Sequence, residues 1–286
     1  MLLAAGLLLM LAPPLLRSVF VRGDAGVSLR LFPGDRTPRL VATLVPESDG
    51  CLIAAGWLSL TGGLRDPEGP RFHAIMAEAY ARLAPGAAAV PTPAIATYLG
   101  LQTPSAFDTI VIEPDGPPRG ALVFLHGYAG NFYVYCWEIA QAASQAGLIT
   151  LCPSVSARGA WWNGDGERTF RATLQALHAR GIPRVVLGGL SNGGVGASAI
   201  AQRHARELAG LVLISGVGGG PPAGLPTLIV QGTLDRMMPA ARARAFAGQS
   251  RRVRYRELQG GHLIFLSQQQ KVRALIADFL RTIAAQ

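Results

Sequence analysis

Cysteine is scarce in this chain, which has three among 286 residues: Cys51, Cys136 and Cys152. Three cysteines are too few for a disulfide framework, and their spacing fits no metal site, so we expect no bound metal. Cys152 lies in an apolar run and Cys136 beside one, which favours buried free thiols. A bridge between these two stays open for an exported domain, because disulfides persist in oxidising compartments.

Charge is equally sparse, since 15% of the residues are charged and 50% are apolar. This balance favours a large core and excludes long disordered segments. The net charge of +9 is carried almost wholly by arginine, because Lys271 is the only lysine. Several arginines cluster within residues 242–256, and such a cluster can attract acidic lipid or nucleic acid. Only Tyr255 is interleaved with them and no nucleic-acid module is visible, so we expect a solvated edge and no nucleic-acid partner.

The first residues of the chain lack charge altogether. Residues 1–16 are mostly leucine and alanine, and with residues 18–21 they reach the ~20 residues that a membrane span requires. A basic start and a small-x-small cleavage site are both missing, so a signal peptide and an uncleaved anchor stay open. We predict that residues 1–22 target the chain to a membrane. The protein would then be membrane-associated or exported, with the side of the membrane left open.

Residues 23–106 show little periodicity. Residues 51–60 are apolar but too short to span a membrane, and residues 72–83 have helical spacing. Residues 84–95 are rich in alanine and proline, which predicts an extended, irregular segment. We expect residues 23–106 to form an N-terminal extension that packs on the main domain or covers its site.

From residue 107 the pattern becomes regular, and we predict one domain over residues 107–286. Short apolar runs alternate there with helix-compatible segments. The runs lie at residues 109–112, 121–125, 148–152, 184–188, 210–215, 227–231 and 253–258. The helical segments lie at residues 133–146, 167–180, 192–207, 240–248 and 264–285. This alternation predicts an α/β fold with a mostly parallel central sheet flanked by helices.

Four polar motifs come at the ends of predicted strands, where open parallel sheets bind their ligands. They are His126-Gly127-Tyr128-Ala129-Gly130, Gly189-Leu190-Ser191-Asn192-Gly193, Gly232-Thr233-Leu234-Asp235 and Gly260-Gly261-His262. A Gly-x-Ser-x-Gly between a strand and a helix forms a turn so tight that the flanking side chains would clash unless both are glycine. Ser191 would then be reachable at a helix N-terminus, where developing negative charge is favoured.

A serine hydroxyl is a weak nucleophile at neutral pH and needs an adjacent base. His262 is the candidate base, which would take the Ser191 proton during attack and return it to the leaving group. Asp235 would fix the imidazole tautomer and stabilise the imidazolium. The backbone N–H of Asn192, directly after the nucleophile, would donate to the oxyanion that forms.

In order and approximate spacing, these four motifs resemble those of the α/β-hydrolases, over roughly three-fifths of the chain. The sequence order of nucleophile, acid and histidine is the one that this family uses. The resemblance implies the α/β-hydrolase fold and a catalytic triad of Ser191, Asp235 and His262. It also implies a second oxyanion donor at the backbone N–H of Tyr128, and a role for His126 in orienting the loop that carries Tyr128.

The candidate pocket residues are His126, Trp161 and Trp162. The two tryptophans follow another predicted strand, where they would form the wall of an acyl or alcohol pocket or pack against the extension, and both interpretations stay open. The predicted strands at residues 210–215 and 227–231 leave little room for an inserted lid between them. A lid would therefore have to come from residues 23–106.

The predicted function is that of a serine hydrolase that cleaves carboxylic esters through an acyl-enzyme intermediate. It would act on a small-molecule ester or acyl substrate and use no cofactor. Acyltransferases and serine peptidases use the same triad, so both remain alternatives. A catalytically silent fold that serves in binding is the alternative from a different class, and the presence of all three triad positions argues against it. The sequence leaves the oligomeric state open.

Overall fold

The computed structural model describes residues 28–32, 47–62, 66–83, 93–105 and 107–285. The segment predicted to target a membrane, residues 1–22, lies outside these ranges, and the predicted extension is described only in part. Among the described helices, none combines the length and the hydropathy that a membrane crossing needs.

Eight described strands form one sheet in the order β1-β2-β4-β3-β5-β6-β7-β8. They are β1 (Ser28–Phe32), β2 (Thr109–Glu113), β3 (Gly120–Leu125), β4 (Leu148–Pro153), β5 (Val185–Leu190), β6 (Gly210–Ile214), β7 (Thr227–Gly232) and β8 (Val253–Leu258). Strands β3 to β8 pair in parallel, whereas β2 is antiparallel to both of its neighbours, β1 and β4. The predicted mostly parallel central sheet is therefore confirmed, with β5 in its interior.

Helices cover both faces of this sheet. They are α1 (Glu47–Leu60), α2 (Phe72–Ala81), α3 (Pro93–Tyr98), α4 (Tyr133–Ser144), α5 (Gly164–Ala179), α6 (Asn192–His204), α7 (Ala240–Ala247), α8 (Ile264–Ser267) and α9 (Gln269–Ala284). Side chains alternate along a strand, so Leu122 and Phe124 of β3 join a core with α4 and α9, while Val123 and Leu125 join a core with α5 and α6. The predicted flanking helices are thus also confirmed.

Within the described part of the extension, β1 pairs with β2 at one edge of the sheet, and the helices α1 and α2 belong to the core that contains α4 and α9. Cys51 of α1 and Met76 of α2 are buried in the same cluster as Phe265 of α8. The end of the segment predicted to be irregular, residues 84–95, begins the helix α3 instead, and residues 84–92 lie outside the described residues. Proline is compatible with the first helical position, because that N–H has no partner in any case. A proline-rich composition therefore did not exclude a helix starting at Pro93.

Cys136 of α4 and Cys152 of β4 form a disulfide, so the prediction that both are free thiols is wrong. Helix α4 packs over β4 and brings the two Cα atoms within 6.1 Å, a separation that a disulfide can bridge. The third cysteine, Cys51, is a buried free thiol.

Candidate active site

Ser191 lies on a sharp turn between β5 and α6. Its φ of 55° and ψ of −120° are uncommon for a residue with a side chain. A Cβ on Gly189 would lie 2.2 Å from the Gly193 carbonyl oxygen, and a Cβ on Gly193 would lie 2.0 Å from the Leu125 carbonyl oxygen. Both contacts would be collisions, so the turn requires glycine at these two positions.

The Ser191 hydroxyl begins a hydrogen-bonded chain of three side chains. Its Oγ lies 3.0 Å from Nε2 of His262, and Nδ1 of the same ring lies 2.9 Å from Oδ2 of Asp235. Because an ionised carboxylate only accepts, Nδ1 carries the ring proton and Nε2 can accept the Ser191 O–H. The chain thus has the polarity that general-base activation of a hydroxyl requires.

The Asp235 carboxylate is fully buried, with 0% of its side chain exposed. Oδ1 accepts the backbone N–H groups of Met237 at 2.9 Å and Met238 at 2.8 Å. Oδ2 accepts Nε2 of Gln231 at 2.8 Å in addition to the His262 ring. These four donors offset the cost of burying a carboxylate and fix its orientation toward the imidazole.

The loop after β3 approaches Ser191 closely, since a Cβ on Gly127 would lie 3.2 Å from the Ser191 Cβ. The next residue, Tyr128, has an exposed side chain, and its backbone N–H has no acceptor among the described residues. Asn192 is the first residue of α6, and N–H groups in a first helical turn have no intrahelical acceptor. Both N–H groups predicted to bind an oxyanion therefore belong to backbone segments beside Ser191.

His126 is buried under this loop, and both of its ring nitrogens are hydrogen-bonded. Nδ1 lies 2.8 Å from the Gly127 carbonyl oxygen, and Nε2 accepts the Val155 N–H at 3.1 Å. Because the carbonyl can only accept, Nδ1 carries the proton and Nε2 is the acceptor, as in a neutral ring. Burial lowers the pKa of His126 to about 4, with a smaller opposing effect from the bond to Gly127. His126 thus ties the loop to the segment after β4, and its place in a substrate pocket stays a prediction.

Trp161 is 0% exposed and belongs to the core that contains α5 and α6. Its Nε1 donates to the His126 carbonyl oxygen at 3.0 Å. A Cβ on Gly196 of α6 would lie 2.1 Å from the Trp161 Cβ, which shows that the indole fills the space left by this glycine. Trp161 is therefore a core residue between the His126 loop and α6. Trp162 is 45% exposed and stays a candidate pocket residue.

Sequence reasoning missed three polar residues that bond to the site: Gln231, Asp66 and Glu68. Gln231 lies in a strand that is otherwise almost wholly apolar, and this contrast was the available signal. Asp66 accepts the backbone N–H of His262 at 2.9 Å, and Glu68 accepts that of Leu263 at 3.1 Å. These partners are 196 and 195 residues apart in the chain, so no local pattern marks them.

The site brings together a hydroxyl, an imidazole hydrogen-bonded to it, a buried carboxylate hydrogen-bonded to the imidazole, and two backbone N–H groups nearby. This set of groups is the one that nucleophilic acyl transfer requires. Within the part of the chain that the structure describes, no three His, Cys, Asp or Glu side chains are grouped so that they could hold a metal ion.

Several solved structures share this architecture. Est1E from Butyrivibrio proteoclasticus, solved with bound ferulic acid, is 14% identical with a TM-score of 0.54, and the match covers 63% of this chain and 96% of that one. A thermophilic esterase from Thermogutta terrifontis is 16% identical with a TM-score of 0.50, and the match covers 64% of this chain and 96% of that one.

A third similar structure is MGS-MChE2, an α/β hydrolase enzyme from the metagenome of lagoon sediments at Mar Chica, Morocco. It is 16% identical with a TM-score of 0.51, and the match covers 62% of this chain and 95% of that one. No family model and no curated protein matches the chain. At these identities the likeness concerns the fold alone, and the chain has the α/β-hydrolase fold.

Proposed function

We propose that this protein is a serine hydrolase that cleaves carboxylic esters through an acyl-enzyme intermediate. The observation that carries the proposal is the hydrogen-bonded chain from Ser191 through His262 to Asp235, with distances of 3.0 and 2.9 Å. Such a chain activates a hydroxyl that is otherwise a weak nucleophile. Among the structural neighbours, one is named an esterase and another a hydrolase enzyme, which supports the same class of reaction here.

In the acylation step, Ser191 Oγ attacks the carbonyl carbon of the ester while Nε2 of His262 takes the hydroxyl proton. A C–O bond forms, and the carbonyl π electrons move to oxygen, which gives a tetrahedral oxyanion. Collapse of this intermediate breaks the bond to the alcohol, which leaves with the proton from His262. Water then attacks the acyl-enzyme with His262 again as base, and the carboxylic acid and free Ser191 are released.

The backbone N–H groups of Tyr128 and Asn192 are the proposed donors to the oxyanion. Each donor of this kind contributes roughly 10²–10³ in rate. Two observations support the assignment: the close approach of Gly127 to Ser191 and the position of Asn192 in the first turn of α6. The helix dipole favours negative charge at that end of α6.

Replacing Ser191 tests the proposal. Ser191→Ala should lower the turnover of short p-nitrophenyl esters by roughly 10⁶-fold without changing the melting temperature, because the methyl group occupies the same space without the nucleophile. The variant should also lose covalent labelling by a fluorophosphonate. Ser105→Ala removes an exposed hydroxyl and serves as the matched control, which should keep both activities. Undiminished turnover in Ser191→Ala would refute the nucleophile assignment.

The alternative uses of the triad differ in their substrates and acceptors. We expect hydrolysis of esters to exceed that of matched amides and thioesters, and a series of acyl chains of increasing length to define the pocket. An acyltransferase would instead transfer the acyl group to an added alcohol faster than to water. A peptidase would cleave the matched amide at least as fast as the ester.

We also propose that the protein is membrane-associated or exported through residues 1–22, with the catalytic domain in an oxidising compartment. The support for the first part is the uncharged, leucine-rich composition of that segment. The support for the second is the disulfide between Cys136 and Cys152, since cytosolic reductants keep most thiols reduced.

A further inference from the structure

The N-terminal extension reaches the loop that carries His262. Asp66 lies between α1 and α2, and its side chain is buried, with the residue 6% exposed. Oδ2 of Asp66 accepts the backbone N–H of His262 at 2.9 Å and that of Arg236 at 3.4 Å. Arg236 directly follows Asp235, so one oxygen of Asp66 joins the two loops that carry the base and the acid.

The other oxygen of Asp66 lies against the His262 loop as well. A Cβ on Gly261 would lie 1.9 Å from Oδ1 of Asp66, so only a glycine at this position leaves room for the carboxylate. Oδ1 also accepts the Glu68 N–H at 3.0 Å, which fixes the carboxylate to its own turn. Asp66 is therefore held at both oxygens by backbone N–H groups.

Glu68 extends this contact along the loop. Its Oε2 accepts the Leu263 N–H at 3.1 Å, and its Oε1 accepts the Ser267 hydroxyl at 2.7 Å. His262, Leu263 and Ser267 are thereby all tied to one short turn of the extension. A single hydrogen bond would leave the loop free to rotate, whereas three carboxylate oxygens along it restrict that rotation.

The extension is itself anchored to the catalytic domain at a second place. The buried Glu47 of α1 accepts the backbone N–H groups of Tyr133 at 2.7 Å and Val134 at 3.1 Å, at the start of α4. It also accepts the Tyr80 hydroxyl of α2 at 2.8 Å. Asp66 and Glu68 thus project from a segment whose helices α1 and α2 are fixed to the domain.

We propose that Asp66 is a positioning residue that holds the His262 and Asp235 loops in register, with Glu68 as its auxiliary. The effect of Asp66 on turnover rests on the proposed ester hydrolysis, whereas its effect on the position of the His262 loop does not. A triad works only while the base stays within hydrogen-bonding distance of the nucleophile, and a displacement of about 1 Å can cost about 10²-fold in rate. Rigid support behind the catalytic groups prevents such displacements.

Asp66→Asn is the principal test, because it keeps the size of the side chain and changes its bonding. Both carboxylate oxygens accept N–H groups, whereas an amide has one acceptor oxygen and an NH2 group that must face an N–H donor. We expect kcat for a short p-nitrophenyl ester to fall by about 10- to 100-fold, with KM changed less than about twofold, since Asp66 is buried and its oxygens accept backbone N–H groups. Glu78→Gln changes an exposed carboxylate of α2 in the same way and is the matched control.

Hydrogen exchange of the His262 and Leu263 amides measures the loop without reference to activity. In Asp66→Asn these amides should exchange faster than in the parent, while those of the β5 core stay unchanged. Asp66→Asn with parental kcat and parental exchange would overturn the proposal. If the parent itself neither turns over esters nor reacts with a fluorophosphonate, the proposed function fails, and the exchange rates still decide whether Asp66 holds the loop.

Gly261→Ala gives an independent test of the same contact. Its methyl group would collide with Oδ1 of Asp66, so this variant should lower kcat and speed exchange of the same amides. In an Asp66→Ala background the collision is absent, and the effect of Gly261→Ala should be smaller than in the parent. The proposed contact would be overturned if the effects of Gly261→Ala and Asp66→Ala on kcat and on amide exchange were strictly additive.

Discussion

Asp235→Asn removes the buried charge at the end of the hydrogen-bonded chain and keeps the shape of the side chain. In the parent, the carboxylate accepts the N–H groups of Met237 and Met238 on one oxygen, and Gln231 and His262 on the other. An amide has only one acceptor oxygen. If that oxygen continues to accept the N–H groups of Met237 and Met238, the NH2 group takes the place of Oδ2 and faces Nδ1 of His262.

This rearrangement reverses the polarity of the imidazole. The NH2 group can only donate, so Nδ1 of His262 must become an acceptor and the ring proton must move to Nε2. Nε2 can then no longer accept the Ser191 proton. In the general Ser-His-Asp template, the same exchange lowers kcat by about 10⁴-fold with the geometry intact, which corresponds to about 5.4 kcal/mol at about 1.36 kcal/mol per tenfold. We expect a loss of this size here.

The assay is the hydrolysis of p-nitrophenyl acetate, with the uncatalysed rate subtracted and the fold checked by circular dichroism and thermal melting. Asp115→Asn changes an exposed aspartate in the same way and should keep the parental kcat. The reasoning would be refuted by a folded Asp235→Asn variant that loses less than about tenfold in kcat, because a ring with its proton on Nε2 could not support such turnover.

Two further predictions concern groups outside the triad. Burial lowers the pKa of His126 from 6.5 to about 4. Between pH 6.5 and about pH 4 the unfolded chain therefore binds more protons at this residue than the folded chain does. The free energy of unfolding should fall by up to about 3 kcal/mol as the pH drops through this window. Chemical denaturation at several pH values should show a smaller slope in His126→Asn and the parental slope in the exposed control His178→Asn. For the proposed location, full-length protein should fractionate with membranes or be exported, and a form lacking residues 2–22 should not. Alkylation of unfolded, unreduced protein should modify Cys51 alone, and equal labelling of Cys136 and Cys152 before reduction would contradict an oxidising compartment.

The sheet could be predicted from the sequence because its central strands, β3 to β7, are buried on both faces. Every residue of β3 and of β5 is buried, so each strand is an apolar run whose ends fall where polar residues or glycines begin. Ser191 follows such a run directly, whereas the motif that contains His262 follows β8, in which no residue is fully buried. The common edge of the sheet brings the two together. Local pattern was therefore sufficient for the elements and for the placement of these two residues.

Other features depended on packing between distant segments, which local pattern does not encode. Trp161 and Trp162 are identical in type and adjacent, yet only Trp161 enters the core, because Gly196 of α6 leaves space for its ring. Cys136 and Cys152 lie 16 residues apart, and only the packing of α4 on β4 brings them within bonding range. Neither outcome could be derived from the neighbours of these residues in sequence.

The two buried carboxylates of the extension explain why the site cannot be understood from the α/β domain alone. Glu47 accepts backbone N–H groups at the start of α4, directly after the loop that carries Tyr128, and Asp66 accepts the N–H of His262. Burying a carboxylate costs free energy unless hydrogen-bond donors surround it. The donors to Glu47 and Asp66 come from the segments that hold the proposed oxyanion site and the proposed base. The extension is thus stabilised by these segments, and the segments are in turn fixed by the extension. The proposed base is thus fixed by a carboxylate nearly 200 residues away in sequence, and the helix that follows the Tyr128 loop is fixed by one nearly 90 residues away.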